Sequence, residues 1–428
     1  MKKIFAMIFT GVIVSFYYFP FEFSFLPGIN TKMGLAVVGI FFAILNLSAK
    51  QEIRIPQNLL NVEVLALIVS VAGIVSVTLN STPDIAYASY FVSMTVWLSG
   101  AYSVCSIIKT VHRDVTIETV TSYLVAVCVS QCVLAIAIDS NYALKNLIDT
   151  YVMQEQEFLT AVDRLYGIGA SLDTAGVRFS ACLIMLMFVF NRNKDKMSRS
   201  AVILAVVSYL WIAVIGNMIA RTTIVGVGMS VLYAVMTFRP NKVNLSFFRV
   251  MRVGLMVLIV VIPLCMYLYE NSPQFHQLSR FAFEGFFNLV ETGEWEIDSN
   301  EKLKTMIVFP DSFKTWIIGD GYFENPYNTD PYYVGYQPGG YYMGTDIGYC
   351  RFIFYFGLVG LFAFAIFLMA VARECIILLP EYKTLILFIL MLGFVIWLKV
   401  ATDIFLVLAL FLCVGNMQDE TPQLEEEV

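Results

Sequence analysis

Histidine is nearly missing from this chain: among 428 residues there are two, His112 and His276. A metal centre built from several imidazoles is therefore excluded. Charge is scarce as well, at 14% Asp, Glu, Lys and Arg, with a balance of −6 at pH 7. No sustained basic stripe offsets that balance, which argues against nucleic acid as a partner and leaves any anionic ligand to a few local arginines. There is no glycine-rich phosphate loop with lysine, no GxSxG elbow and no zinc spacing, which argues against ATP-driven chemistry within the chain. Eight cysteines are present, nearly all inside apolar stretches. Cys128 and Cys132 are four apart but complete no metal spacing, so the thiols read as small buried hydrophobes. No metal and no cofactor are expected.

What the chain does have is apolar length. Hydrophobic residues make up 59% of it, and the mean hydropathy is +0.75, outside the usual range for soluble domains. A spanning helix needs about 20 mainly apolar residues. By that measure the expected fold is an all-α polytopic integral membrane protein with about 12 transmembrane helices and two long extracytoplasmic loops. The spans fall at approximately 4–21, 33–47, 60–79, 85–108, 116–138, 174–190, 200–219, 222–238, 253–270, 347–371, 384–398 and 401–416. Residues 1–428 then form a single transmembrane domain. The start, Lys2-Lys3 and the run Ile4 to Phe19, has the outline of a signal peptide, but no small-residue cleavage site follows and it reads as a retained first span.

Orientation comes from the basic residues. Lys2 and Lys3, Lys50 and Arg54, Lys109 and Arg113, the cluster from Arg192 to Arg199, the cluster Arg239/Lys242/Arg249/Arg252, and Arg373 with Lys383 occupy every second connection. By the positive-inside rule these are cytoplasmic, which puts both termini inside and makes 417–428 an acidic cytoplasmic tail. The long loops 139–173 and 271–345 then lie outside, and loops of that length are usually functional or disordered. In the first, Leu144, Leu147, Ile148, Tyr151 and Val152, then Phe158, Leu159, Val162 and Leu165, recur at helical spacing. In the second, Phe275, Leu278, Phe281, Ala282 and Phe286 predict a surface helix. Asp298 or Ser299 is placed to cap another that Pro310 stops. The stretch from Ala201 to Phe238 is too long for one straight span, so the chain must turn between Gly216 and Thr223. That turn places Arg221 at the outer face.

Charges inside spans are the most informative, since an Arg or Lys near a helix centre costs about 2.5–3.5 kcal/mol on insertion scales. Arg178, Arg221 and Arg351 fall on the outer half, as do Lys399, Asp346 and Asp403, and Arg280 lies in the large loop. Each arginine can reach to headgroup phosphate; together they can neutralise a diphosphate, because the planar guanidinium matches phosphate oxygens in pairs. The candidates for a general base that takes the proton of a sugar hydroxyl are Asp346, Glu284, Asp320 and His276. Asp346, just before a helix, is also placed as an N-cap. The aromatic residues Tyr322, Tyr327, Tyr332, Tyr333, Tyr336, Tyr341, Tyr342, Tyr349, Trp295 and Trp316 are suited either to stacking on sugar rings or to packing at the membrane interface. The candidate glycan contacts among them are Tyr322, Trp316, Tyr341 and Tyr349.

Two stretches carry a likeness to a known family. One is Ile317-Ile318-Gly319-Asp320-Gly321-Tyr322, followed by Gly344 to Phe352 and Tyr355-Phe356-Gly357-Leu358-Val359-Gly360. The other is Ala220-Arg221-Thr222-Thr223. With the layout of a dozen spans and a large outer loop near the carboxyl end, the chain resembles the bacterial O-antigen and capsule polymerase family (Wzy-type), which is related to the O-antigen ligases. The family's arginine-and-glycine loop repeat is not legible, which leaves Arg280 and Arg164 without a role from it. The resemblance implies a GT-C-like membrane glycosyltransferase of the bacterial inner membrane. It would polymerise undecaprenyl-diphosphate-linked oligosaccharide repeat units at the outer leaflet, with a chain-length regulator and a flippase as partners. Two alternatives stand beside it: an O-antigen ligase that moves glycan to an acceptor, and a non-enzymatic polysaccharide flippase or transporter. Glu63 near an inner end, and Lys399 with Asp403 near an outer end, fit poorly with the midplane charges a transporter would need.

Overall fold

The computed structural model describes residues 2–50, 56–154, 159, 164–237, 245–335 and 340–426. Arg54, Phe158, Val162, Arg239, Lys242 and Tyr336 lie outside the described residues. Among the described residues each apolar stretch is a helix: Lys2–Tyr18, Thr31–Lys50, Gln57–Asn80, Tyr90–His112, Ile117–Ser140, Leu172–Asn193, Arg199–Ile219, Thr223–Thr237, Leu245–Asn271, Gly348–Leu378, Lys383–Ile396 and Phe405–Glu426. Among the described residues, seven helices are long and apolar enough to cross a membrane. Thr31–Asn46, Thr223–Thr237 and Phe405–Gln418 are apolar but shorter. The chain is thus an all-α membrane protein. The sheet described is one antiparallel pair, Glu22–Phe23 with Val152–Met153.

The helix Gln57–Asn80 shows why these segments suit lipid. Its buried positions include the small residues Ala66, Ser70, Gly73 and Ser76, while Leu60, Val64, Leu67, Ile68, Val71, Ile74 and Leu79 are exposed. Small residues let backbones approach where no hydrophobic effect drives helices together, and branched apolar ones face the acyl chains.

The chain divides into two compact units, Met1–Gly34 with Ile107–Glu296 and Leu35–Ser106 with Ile297–Val428. In the first, Leu172–Asn193 is the central helix, packed against Ile117–Ser140, Arg199–Ile219 and Thr223–Thr237. The turn expected between Gly216 and Thr223 is present: one helix ends at Ile219 and the next begins at Thr223. The Ser180 hydroxyl holds it, donating to the Thr222 carbonyl (3.0 Å) and accepting from the Gly226 amide (3.1 Å). The helix expected from Phe275 to Phe286 is two, Pro273–Ala282 and Glu284–Thr292, bent at Phe283.

In the second unit, Gly348–Leu378 packs on Gln57–Asn80, Phe313–Ile318, Lys383–Ile396 and Phe405–Glu426. Its interior is aromatic: Phe352, Phe356, Phe364, Phe367, Trp397 and Phe405 are all buried. The long helix is broken at Phe356 and Gly357, where Gly357 has φ 67° and ψ −171°. The carbonyls freed by the break find donors in the Ile317–Tyr322 motif. The Asp320 amide donates to Phe354 O (2.6 Å) and the Gly321 amide to Tyr355 O (3.1 Å), and Ser76 Oγ also reaches Tyr355 O (2.6 Å). Two segments of the first motif stretch are therefore in contact. Such satisfaction is obligatory away from water.

Local capping differs from expectation. Neither Asp298 nor Ser299 caps the helix Asp298–Thr305; Ile297 stands at its N-cap and Asp298 in the first turn, where a carboxylate favours the helix dipole. That helix ends at Thr305, before Pro310. Asp346 is likewise not the cap of Gly348–Leu378, because Ile347 holds that position.

Gly357 occupies a backbone region open only to glycine, and a Cβ there would fall on the Ile317 carbonyl. Gly357→Ala is expected to cost about 2 kcal/mol or more and to lower the temperature at which detergent-solubilised protein loses its monodisperse size-exclusion peak. Gly254→Ala, which meets nothing within 4 Å, is the control.

Candidate functional site

Each unit carries a distinct polar group. In the first, Arg221 projects from the turn that Ser180 secures, and Gly176 lets the neighbouring helix approach so closely that a Cβ there would stand 2.8 Å from Thr222 Cβ. The Thr222 hydroxyl donates to Asp173 Oδ1. Asn217, one turn earlier, donates from Nδ2 to the Ala282 carbonyl at 2.6 Å, which fixes the bend at Phe283 and hence the start of the next helix. As a result Glu284 Oε2 lies 2.7 Å from Arg221 Nη1, with both side chains about one-sixth exposed, at 16% and 17%.

The Arg221 guanidinium also sits 4.0 Å from the centre of the Phe281 ring, and Arg164 sits 5.0 Å from the same ring. Burial pushes the Arg164 guanidinium below the usual arginine value; Asp173 opposes that fall and Arg221 adds to it. Arg164, Arg221, Asp173, Glu284 and Phe281 therefore make one charged group beside one aromatic ring. Two guanidiniums beside one ring, with carboxylates balancing them, can accept a dianion by exchange of partners.

The other residues of this unit named from the sequence are placed differently. Arg178 is half-buried with its guanidinium 5.8 Å from the Phe19 ring, and its backbone carbonyl accepts from Tyr18 OH at 2.7 Å. Arg280 forms a two-pronged ion pair with Glu291 (2.6 and 2.7 Å) on the surface. The hydrogen bond from Arg280 holds the Glu291 carboxyl below the usual glutamate range. His276 lies against Tyr269, with ring centroids 4.3 Å apart.

In the second unit Arg351 is 3% exposed. Its guanidinium is sandwiched between Phe323 (3.8 Å) and Tyr341 (3.4 Å), and Nη2 donates to the Phe323 carbonyl (3.0 Å) and Glu324 Oε1 (3.2 Å). The same strand of loop is gripped by buried Asp84, whose Oδ2 accepts from the Phe323 and Glu324 amides at 2.8 and 2.9 Å. The Tyr355 hydroxyl donates to the Asp84 carbonyl at 3.0 Å and accepts from the Tyr87 and Ala88 amides. Arg351 and Asp84 thus fix the loop that carries Asp320 and Tyr322.

Asp320 accepts from Thr315 Oγ1 (2.7 Å) and Tyr342 OH (3.3 Å). Trp316 is stacked on Phe309 with Nε1 donating to the Pro310 carbonyl. Tyr349 donates to the Phe394 carbonyl (3.1 Å) and packs on Trp397, a position inside the helical packing. Asp346 is half-buried just before the long helix.

Of the sequence candidates, Arg221 and Glu284 come together directly. Arg178, Arg280 and His276 share their unit but make other contacts. Arg351, Asp320, Asp346, Tyr322, Trp316, Tyr341 and Tyr349 belong to the second unit. Arg164 was left without a role by sequence reasoning, and neither Asp173 nor Asp84 was singled out as a site residue. Nothing in a loop acid such as Asp84, in Thr82-Pro83-Asp84, signals that it will bind two amides 239 and 240 positions away. Compared with known proteins, the chain matches no family model, no curated protein and no solved structure.

Removing one partner of a largely buried ion pair leaves the other charge unbalanced. Glu284→Ala is expected to destabilise the protein by about 3 kcal/mol, the more so because Arg164 remains nearby. The double variant Glu284→Ala with Arg221→Ala recovers part of the loss, and thermal unfolding of the native chain, the two single variants and the double variant measures the coupling. At Glu291 the depressed carboxyl gives a pH dependence of known sign. Its pair contributes fully above the unfolded glutamate value of about 4.3 and is lost as pH falls through the lower folded value. The stability difference between the native chain and Glu291→Gln is therefore expected to be level from neutral pH down to about 5 and to close below about 4.

Proposed function

We propose that this chain is a membrane glycosyltransferase that polymerises undecaprenyl-diphosphate-linked oligosaccharide repeat units at the outer leaflet of a bacterial inner membrane. In this reading about twelve helices span, both termini are cytoplasmic, and the loops 139–173 and 271–345 are extracytoplasmic. The observation that carries it is the group around Phe281: Arg164 and Arg221 on one ring, with Glu284 in contact with Arg221.

The chemistry follows from those groups. The acceptor hydroxyl oxygen bonds to the anomeric carbon of the donor sugar while the bond from that carbon to the diphosphate oxygen breaks. The departing diphosphate gains charge as the bond lengthens, and fixed guanidiniums stabilise that charge more in the transition state than before it. A diphosphate seated on Arg221 takes the place of Glu284, whose freed carboxylate then accepts the acceptor's proton. No cofactor enters this scheme. His276, packed against Tyr269, is not one of the groups this scheme uses.

The test uses the purified full chain in liposomes with lipid-linked repeat units. A ladder of elongated products is expected without added nucleotide. Arg221→Ala is expected to lower the rate about 100-fold. Arg221→Lys is expected to fall between the two, because an ammonium keeps the charge and loses the fork. Repeat units that remain single throughout would overturn the reading. In cells, deletion is expected to leave single repeat units at the surface; a deletion that leaves finished polymer on its lipid carrier would identify a ligase instead.

A further inference from the structure

Around the Ile317–Tyr322 motif of the second unit lies a group of rings and carboxylates that the diphosphate chemistry does not use. Tyr322, Tyr327, Tyr333 and Tyr342 are contiguous, with ring centroids 5.4 Å apart for Tyr322 and Tyr333, 5.2 Å for Tyr322 and Tyr342, and 5.4 Å for Tyr327 and Tyr333. Two carboxylates are woven into them. Asp330 accepts from Tyr322 OH at 2.7 Å, and Asp320 accepts from Tyr342 OH and Thr315 Oγ1. Tyr327 OH donates to the Gly335 carbonyl at 2.9 Å. Tyr327 is exposed, and the other rings and both carboxylates are half-buried.

What such a group can hold follows from its atoms. Rings buried for packing alone would not need carboxylates among them, and ionised carboxylates resist being covered by acyl chains. Three of the hydroxyl protons are already given away, to Asp330, Asp320 and the Gly335 carbonyl. What remains is rich in acceptor lone pairs, so a ligand must bring its own donors. It must also bring an apolar face for the rings. A pyranose does both, with a C–H face and a rim of hydroxyls. Two like charges in the group repel a sugar that carries a carboxylate or phosphate.

We propose that Tyr322, Tyr327, Tyr333 and Tyr342, with Asp320 and Asp330, form a subsite for an uncharged pyranose of the glycan and select against acidic sugars. The role of that sugar as part of a glycosyl substrate rests on the glycosyltransferase reading.

The experiment takes the full chain in lipid nanodiscs and measures saturation-transfer NMR and affinity for two probes: a trisaccharide of neutral N-acetylhexosamines and the equally long trisaccharide with one uronic acid. The neutral probe is expected to bind at least tenfold more tightly. Tyr333→Ala is expected to weaken it about tenfold, a loss of about 1.4 kcal/mol. Tyr333→Phe stays within about twofold, because it keeps the ring face. Asp320→Asn with Asp330→Asn narrows the gap between the probes. The inference is overturned if neither probe binds, if both bind equally, or if a monodisperse Tyr333→Ala protein binds like the native chain. Binding of inorganic diphosphate to the same samples, with Arg221→Ala as control, reports on the other reading separately. Sugar binding without a diphosphate response leaves this subsite standing and removes the glycosyltransferase. A diphosphate response without sugar binding does the reverse.

Discussion

A polar group taken out of water must be matched by another polar group, and both units of this protein are built on that constraint. In the first, the matched groups are side-chain charges: Arg221 with Glu284, and Arg164 and Asp173 close by, gathered at Phe281. In the second they are mainly backbone: the carbonyls released where Gly348–Leu378 breaks at Gly357 are taken up by the amides of Asp320 and Gly321, and Asp84 takes up the amides of Phe323 and Glu324. Removing either match would be costly. An unmet buried amide costs about 1–3 kcal/mol, and an unmatched buried charge costs more.

The same constraint separates the arginines by their surroundings. Arg351, almost fully buried between two rings and bonded to a carbonyl, holds a loop in place. Arg280, paired in two prongs with Glu291 at the surface, is screened by solvent, where such pairs contribute little. Arg221 is intermediate: it is buried enough for its charge to act strongly, and its partner is a side chain at the first position of a helix beyond a bend. A carboxylate there can be exchanged for a phosphate oxygen with less disruption than a backbone carbonyl can.

The apolar helices were legible because their signal is local. Each apolar stretch read from composition is a helix, and the turn before Thr223 followed from length alone, since one helix of that extent would overrun a bilayer. The bend at Phe283 was not legible. The apolar spacing from Phe275 to Phe286 continues through it, and what stops the helix is Asn217, on another segment, taking the Ala282 carbonyl at 2.6 Å. The cap at Asp346 failed for a similar reason: the residue type was right for a cap, while the chain path put Ile347 in that position.

From the chain alone came the membrane class, the helical segments, the scarcity of ligands for metals and the short roster of residues able to do acid–base or phosphate chemistry. These depend on composition and on spacing along one segment, which no tertiary contact alters. Only the folded structure decided which of those residues meet. Glu284 and Arg221 are 63 positions apart in the numbering and Asp84 is 239 from Phe323; their pairing is set by helix ends, a broken helix and the close approach that Gly176 permits. Partnership across such distances is a property of packing, where the cost of an unmatched charge or amide selects the arrangement.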